Sequence, residues 1–138
     1  MRGDRFLCGY VAALLWAETD NDDVPLEENH DVDAFSNEAW NSIVEDCRKF
    51  RENPVFQRLL DDSEAKHRGQ SVEDFVGHDF WLTRKHHGTG FWDGDWSEAV
   101  GKEATKVAQS FREVSPYVGD DGRIYLDGLL ASRRRPPG

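Results

Sequence analysis

The sequence predicts a small α+β domain, mostly helical, closed by a C-terminal β-hairpin. Two patterns and the size of the chain carry that expectation. Several stretches repeat apolar residues at helical spacing, and an Asp-Gly pair sits between two short runs of aromatic and β-branched residues near the C-terminus. At 138 residues, 38% of them hydrophobic, the chain is large enough for one buried core without a metal or disulfide staple. The expected organisation is a single globular domain over 1–132, interrupted by an acidic connection at about 18–35, with a basic tail at 133–138.

The first helix is expected over 5–17. There Phe6, Tyr10, Ala13, Leu14 and Ala17 share one side, Val11 and Leu15 widen it, and Gly9 weakens it. Residues 18–35 carry Pro25 and form a connection longer than compact domains usually hold, which implies either a function or mobility. Ser36 has the chemistry of an N-cap for a helix to about Glu52, with Trp40, Ile43, Val44, Cys47 and Phe50 as its apolar stripe. Asn53-Pro54 ends that helix and starts a short one anchored by Val55, Phe56, Leu59 and Leu60. Ser71, Glu73 and Asp74 open a fourth. Its continuation past Gly77 is open, because Phe80–Arg84 reads equally as a strand. Ser97-Glu98 introduce a helix with a seam of Val100, Ala104, Val107, Ala108, Phe111 and Val114, stopped by Pro116. Strands are expected at 117–119 and 123–126 about an Asp120-Asp121-Gly122 turn, with Phe91 and Trp92 as candidates for a third strand.

The charge is unevenly distributed. The net value of -10 arises from 27 acids against 17 bases, yet no Lys or Arg occurs from Phe6 to Cys47, where eleven acids accumulate. Such a field repels phosphate backbones, so direct nucleic-acid binding is disfavoured, while a basic protein surface suits it. Arg133-Arg134-Arg135 lie too near the chain end to reverse that expectation. No apolar run approaches membrane-spanning length. Phe6–Ala17 follows two arginines, but Glu18 and Asp20 occupy the place of a signal-peptide cleavage site, so a mature helix is expected. Cys8 and Cys47 form neither a metal motif nor a disulfide framework, which favours reduced, buried thiols.

Residues 77–96 hold three of the five tryptophans and three of the five histidines, which makes them the place to look for a site. His78, His87 and Asp93 offer two imidazoles and a carboxylate, a set suited to zinc or iron, with His86 and Asp79 as alternates. Their spacing matches no metal motif. A calcium loop from Asp93 fails at Glu98 and Ala104, where it needs glycine and glutamate. For acid-base chemistry, His87 is the candidate base, with Asp79 or Asp93 to orient it and Thr83 or Thr89 nearby. Asp79 and Asp93 are also a conceivable carboxylate couple. His87-Gly88-Thr89-Gly90 lacks the Lys-Ser/Thr ending of a phosphate loop. For protein binding, Trp81, Arg84, His87, Trp92, Asp93 and Trp96 have hot-spot composition, although inward packing is the commoner fate of each tryptophan. No cofactor is fixed by these residues.

Gly77-His78-Asp79-Phe80-Trp81-Leu82-Thr83-Arg84 followed by His87-Gly88-Thr89-Gly90-Phe91-Trp92-Asp93 resembles the signature of a family of small uncharacterised proteins encoded by phages and prophages. Phe6–Trp16, Asp46-Cys47 with Phe50, and Tyr117–Tyr125 extend the similarity over most of the chain. The chain departs from the family's pattern at Lys85 and His86, where members have Asn and a small residue. His87 is the histidine that matches. The resemblance implies a viral origin and a bacterial host cytoplasm, and it implies no activity. The expected function is therefore a phage accessory protein that binds a host or viral protein, with its acidic surface as the contact. A small metal-dependent or histidine-based hydrolase and a purely structural protein are the alternatives.

Overall fold

The structure is a computed structural model, which describes residues 4–62, 71–86, 90–91 and 96–128. Its elements follow the order α1 (Arg5–Ala17), α2 (Asn37–Glu52), α3 (Pro54–Leu60), α4 (Val72–Arg84), α5 (Glu98–Ser110), β1 (Ser115–Val118) and β2 (Ile124–Asp127). This is the α+β arrangement the sequence predicts, and among the described residues no helix is long and apolar enough to cross a membrane.

Capping explains most helix starts. Asp4, Ser36, Asn53 and Ser71 each accept a backbone N–H of the first turn, from Leu7, Ala39, Val55 and Asp74 respectively. Pro54 then occupies the first turn of α3, where its missing N–H costs nothing.

The closest helix pair is α1 against α4. A Cβ on Gly9 would lie 2.0 Å from the Asp74 carbonyl oxygen, and one on Gly77 would lie 2.1 Å from that of Phe6. The two glycines that weaken these helices as isolated segments are therefore what lets their backbones touch. α4 runs unbroken through Gly77, and Phe80–Arg84 are helical rather than extended. Side-chain contacts advance together along both helices, from Arg5 with Asp74 to Trp16 with His78 and Glu18 with Trp81, so the two run in the same sense.

A ring cluster joins the remaining layers. Phe50 of α2 stacks on Phe80 of α4 with centroids 4.2 Å apart. Phe6 meets both, Phe56 closes the α3 side, and Phe91 and Phe111 complete the surround. On α2 the buried stripe is Ala39, Ser42, Ile43, Cys47 and Phe50. Trp40 is half-buried and Val44 is exposed, so the observed face is rotated from the expected one.

Two boundaries differ at the C-terminal end. α5 stops at Ser110, before Phe111 and Val114, which reach the core from extended chain. The reason is tertiary: Arg84 Nε donates to the Arg112 carbonyl at 2.8 Å, and its guanidinium lies over the Phe111 ring, so the chain leaves the helix to wrap that side chain. The hairpin pairs Ser115 with Asp127 through to Val118 with Ile124, around a turn in which Gly122 takes φ +80°. Among the described residues the sheet has two strands, and Phe91 lies in a turn instead of adding a third. The outer edge of β2 is met by Phe35, which bridges Ile124, while Ser36 N–H donates to the Ile124 carbonyl. On β1, the Asn21 side chain bonds both the N–H and the C=O of Val118 and so occupies that edge.

Candidate functional site

The described residues of the signature segment, 77–86, 90–91 and 96, are largely interior. Trp81 is fully buried, and its indole N–H donates to Glu18 at 3.0 Å. Trp96 is buried between Phe75 and Phe91, and its indole N–H donates to Asp79 at 2.8 Å. Arg84 is 3% exposed. Trp81 and Arg84, expected as parts of a contact surface, face the core, where internal acceptors satisfy them, while Trp96, whose indole N–H is also satisfied internally, lines with Phe91 a hollow of about 440 Å³ against α5. Phe91 and Thr83 are likewise structural, since Thr83 Oγ1 accepts the Phe91 N–H at 3.0 Å.

Arg84 organises a buried polar knot. Its guanidinium meets Asp46 at 2.9 Å, the Tyr10 hydroxyl at 2.9 Å and the Arg112 carbonyl at 2.8 Å. Burial works against the charge, but attraction from Tyr10 and Asp46 outweighs it and holds the guanidinium above its ordinary range. Burial also pushes the Tyr10 hydroxyl far above the usual phenol range, against the opposing pull of Arg84. The Cys47 thiol beside this region is raised by burial too, which makes it inert, while Cys8 is only half-buried.

The histidines fare differently. His78 is partly exposed, stacks obliquely near the exposed Trp16, and places Nδ1 3.8 Å from Asp79 Oδ1. His86 follows the end of α4 with φ +59°, a conformation that glycine or asparagine enters with less strain. His87, Trp92 and Asp93 lie outside the described residues, and so does the metal set they would complete with His78. Among the described residues no group of three His, Cys, Asp or Glu side chains is placed to hold a metal ion.

The acidic connection, by contrast, is folded. Leu26 is fully buried and anchors it from below. Asp20 accepts the N–H groups of Asp22 and Val24, Thr19 bridges Pro25, and short 3₁₀ turns occupy Leu26–Glu28 and Val32–Ala34. Asp31 caps the second turn by accepting the Asp33 N–H at 3.0 Å. Several of the eleven acids thus have structural tasks: Glu18 holds Trp81, Asp46 holds Arg84, and Glu45 holds Arg48. Asp22, Asp23, Glu27, Glu28, Asp31, Asp33 and Glu38 remain exposed. Glu27, Glu28, Asp31 and Asp33 line an open concavity of about 740 Å³ together with His30 and Gly122 of the hairpin turn.

The roles of Glu18, Asp46 and Tyr10 as partners of the signature were not legible in their spacing. Each lies far along the chain from the group it satisfies, and a lone acid among many carries no local mark. No protein-family model, curated protein or solved structure matches this chain.

Proposed function

We propose that this chain is a phage accessory protein that binds a host or viral protein through its acidic surface in the bacterial cytoplasm. The observation that carries this reading is the folded state of residues 18–35. A connection of that length and charge is pinned by a buried leucine, side-chain caps and a bridge to the hairpin, so its exposed carboxylates stand in defined places. Fixed charges of one sign steer a partner of the opposite sign and lose little freedom on contact. The resemblance of Gly77–Arg84 and His87–Asp93 to the phage signature supports the biological setting. The same negative field argues against a nucleic-acid ligand.

The test is capture of partners from a bacterial lysate on the immobilised full chain, beside the variant Glu27→Lys/Glu28→Lys. A stoichiometric partner should elute with rising salt and be absent from the variant. A partner held equally by the charge-reversed protein would refute the acidic-surface reading. A histidine-based enzyme has one observation in its favour, the His78–Asp79 juxtaposition at the exposed Trp16. Metal analysis of the same sample decides it: stoichiometric zinc or iron lost on His78→Ala or His87→Ala would replace the binding reading with a metal site.

A further inference from the structure

Asp33 stands on the border of the acidic concavity. The same side chain lines a second hollow of about 350 Å³ whose walls include Val32, Phe35 and Trp40. The two hollows share Asp33 as a common wall, and the hairpin turn borders both, through Gly122 in the first and Arg123 in the second. One end of this groove is therefore a row of carboxylates, and the other has an aromatic wall. Phe35 is buried and held by its bridge to Ile124, and the half-buried Trp40 ring stands 6.0 Å from it. The aromatic end is thus formed before any ligand arrives, and its geometry is set by the fold.

We propose that this groove is the docking site for a basic segment of the partner protein that carries one large apolar side chain. The inference rests on the acidic-surface reading above and narrows it. Charge complementarity selects the occupant. Among the residues that line the two hollows, Glu27, Glu28, Asp31 and Asp33 are set against one guanidinium, that of Arg123, which borders the aromatic hollow beside Asp33 and has its Nη1 already directed at the Phe35 carbonyl. Lys or Arg side chains of the segment lie over the carboxylate row, and the apolar side chain enters between Val32 and Trp40. A second copy of this chain is a poor occupant, because its net charge of -10 brings like charges together. Aromatic contact beside a charged rim is the composition that concentrates binding energy in a few residues.

The experiment uses the full chain and two short fluorescein-labelled Lys/Arg-rich peptides, identical except for a central tryptophan in one and alanine in the other. Fluorescence anisotropy at low salt should show the tryptophan peptide binding at least about tenfold more tightly. Trp40→Ala should abolish that difference while leaving the alanine peptide unaffected. Asp33→Lys, at an exposed side chain whose replacement disturbs no packing, should weaken both peptides by about tenfold or more. Equal affinity of the two peptides for the wild-type chain would overturn the groove and leave the broader acidic surface standing. Failure of both peptides to bind would overturn the two readings together. Binding that appears only when Arg133, Arg134 and Arg135 are all changed to Gln would assign the groove to the chain's own tail, and so also overturn the proposal.

Discussion

Arg84 carries a charge into the interior and finds Asp46, Tyr10 and the Arg112 carbonyl waiting for it. Removing one member of such a knot leaves the other charge buried without its partner, which costs more than the intact pair contributes. Arg84→Met should therefore lower stability by about 3 kcal/mol, measured by urea denaturation, with Asp46 retaining enough solvent contact to keep the loss at the low end of the usual range. The double variant Arg84→Met/Asp46→Leu should recover much of that loss. A single variant within about 0.5 kcal/mol of wild type would show that the knot is not structural. From the sequence, Arg84 reads as a surface anchor, because arginine beside tryptophan is the composition of a hot spot. The same composition serves an interior site when acceptors arrive from other elements, and the acceptors here come from α1, α2 and the chain after α5.

At the scale of elements, the α1–α4 contact depends on two missing side chains. Alanine is the better helix former by roughly 1 kcal/mol, so an isolated-helix view expects Gly9→Ala and Gly77→Ala to stabilise. The contact reverses that sign. Each new methyl would meet backbone of the facing helix near 2 Å, and backbone cannot rotate away as a side-chain tip can. Either substitution should cost about 2–3 kcal/mol by thermal or chemical unfolding, and the pair should be less than additive because both relieve their clash by the same separation of helices. An unchanged or higher midpoint for either would contradict the close crossing. Helix positions themselves were legible, since Ser36, Asn53-Pro54 and Ser71 announce their starts through side chains that act locally. The end of α5 was not, because Arg84 determines it from another helix.

Over the whole molecule, the buried neutral acids set the response to alkali. Cys47 and Tyr10 titrate higher in the folded chain than in the unfolded one, and burial is the leading cause for both. Their contribution to stability is complete below the unfolded thiol range, at about pH 8.5, and is lost as pH rises towards the raised folded values. Between those limits the loss is about 1.4 kcal/mol per pH unit for each group in play. Unfolding free energy should therefore fall from about pH 8.5, and more steeply from about pH 10 where the unfolded phenol joins. Cys47→Ala should remove the first slope and leave the second. A flat profile up to pH 10 in the wild-type chain would contradict the buried-thiol account.

The order of helices, the caps at Ser36, Asn53 and Ser71, the hairpin and the gap in positive charge could all be read along the chain, because each depends on neighbours within a few residues or on composition alone. The fate of the tryptophan-rich signature could not. Whether Trp81, Arg84 and Trp96 face solvent or core depends on Glu18, Asp46 and Asp79 reaching them from other turns and other helices. Likewise, local spacing leaves residues 18–35 free to be a loose loop, and only the burial of Leu26 and the bridge from Phe35 to Ile124 make them a surface. Local chemistry chooses the elements, while partners distant in sequence decide which side chains remain available for function.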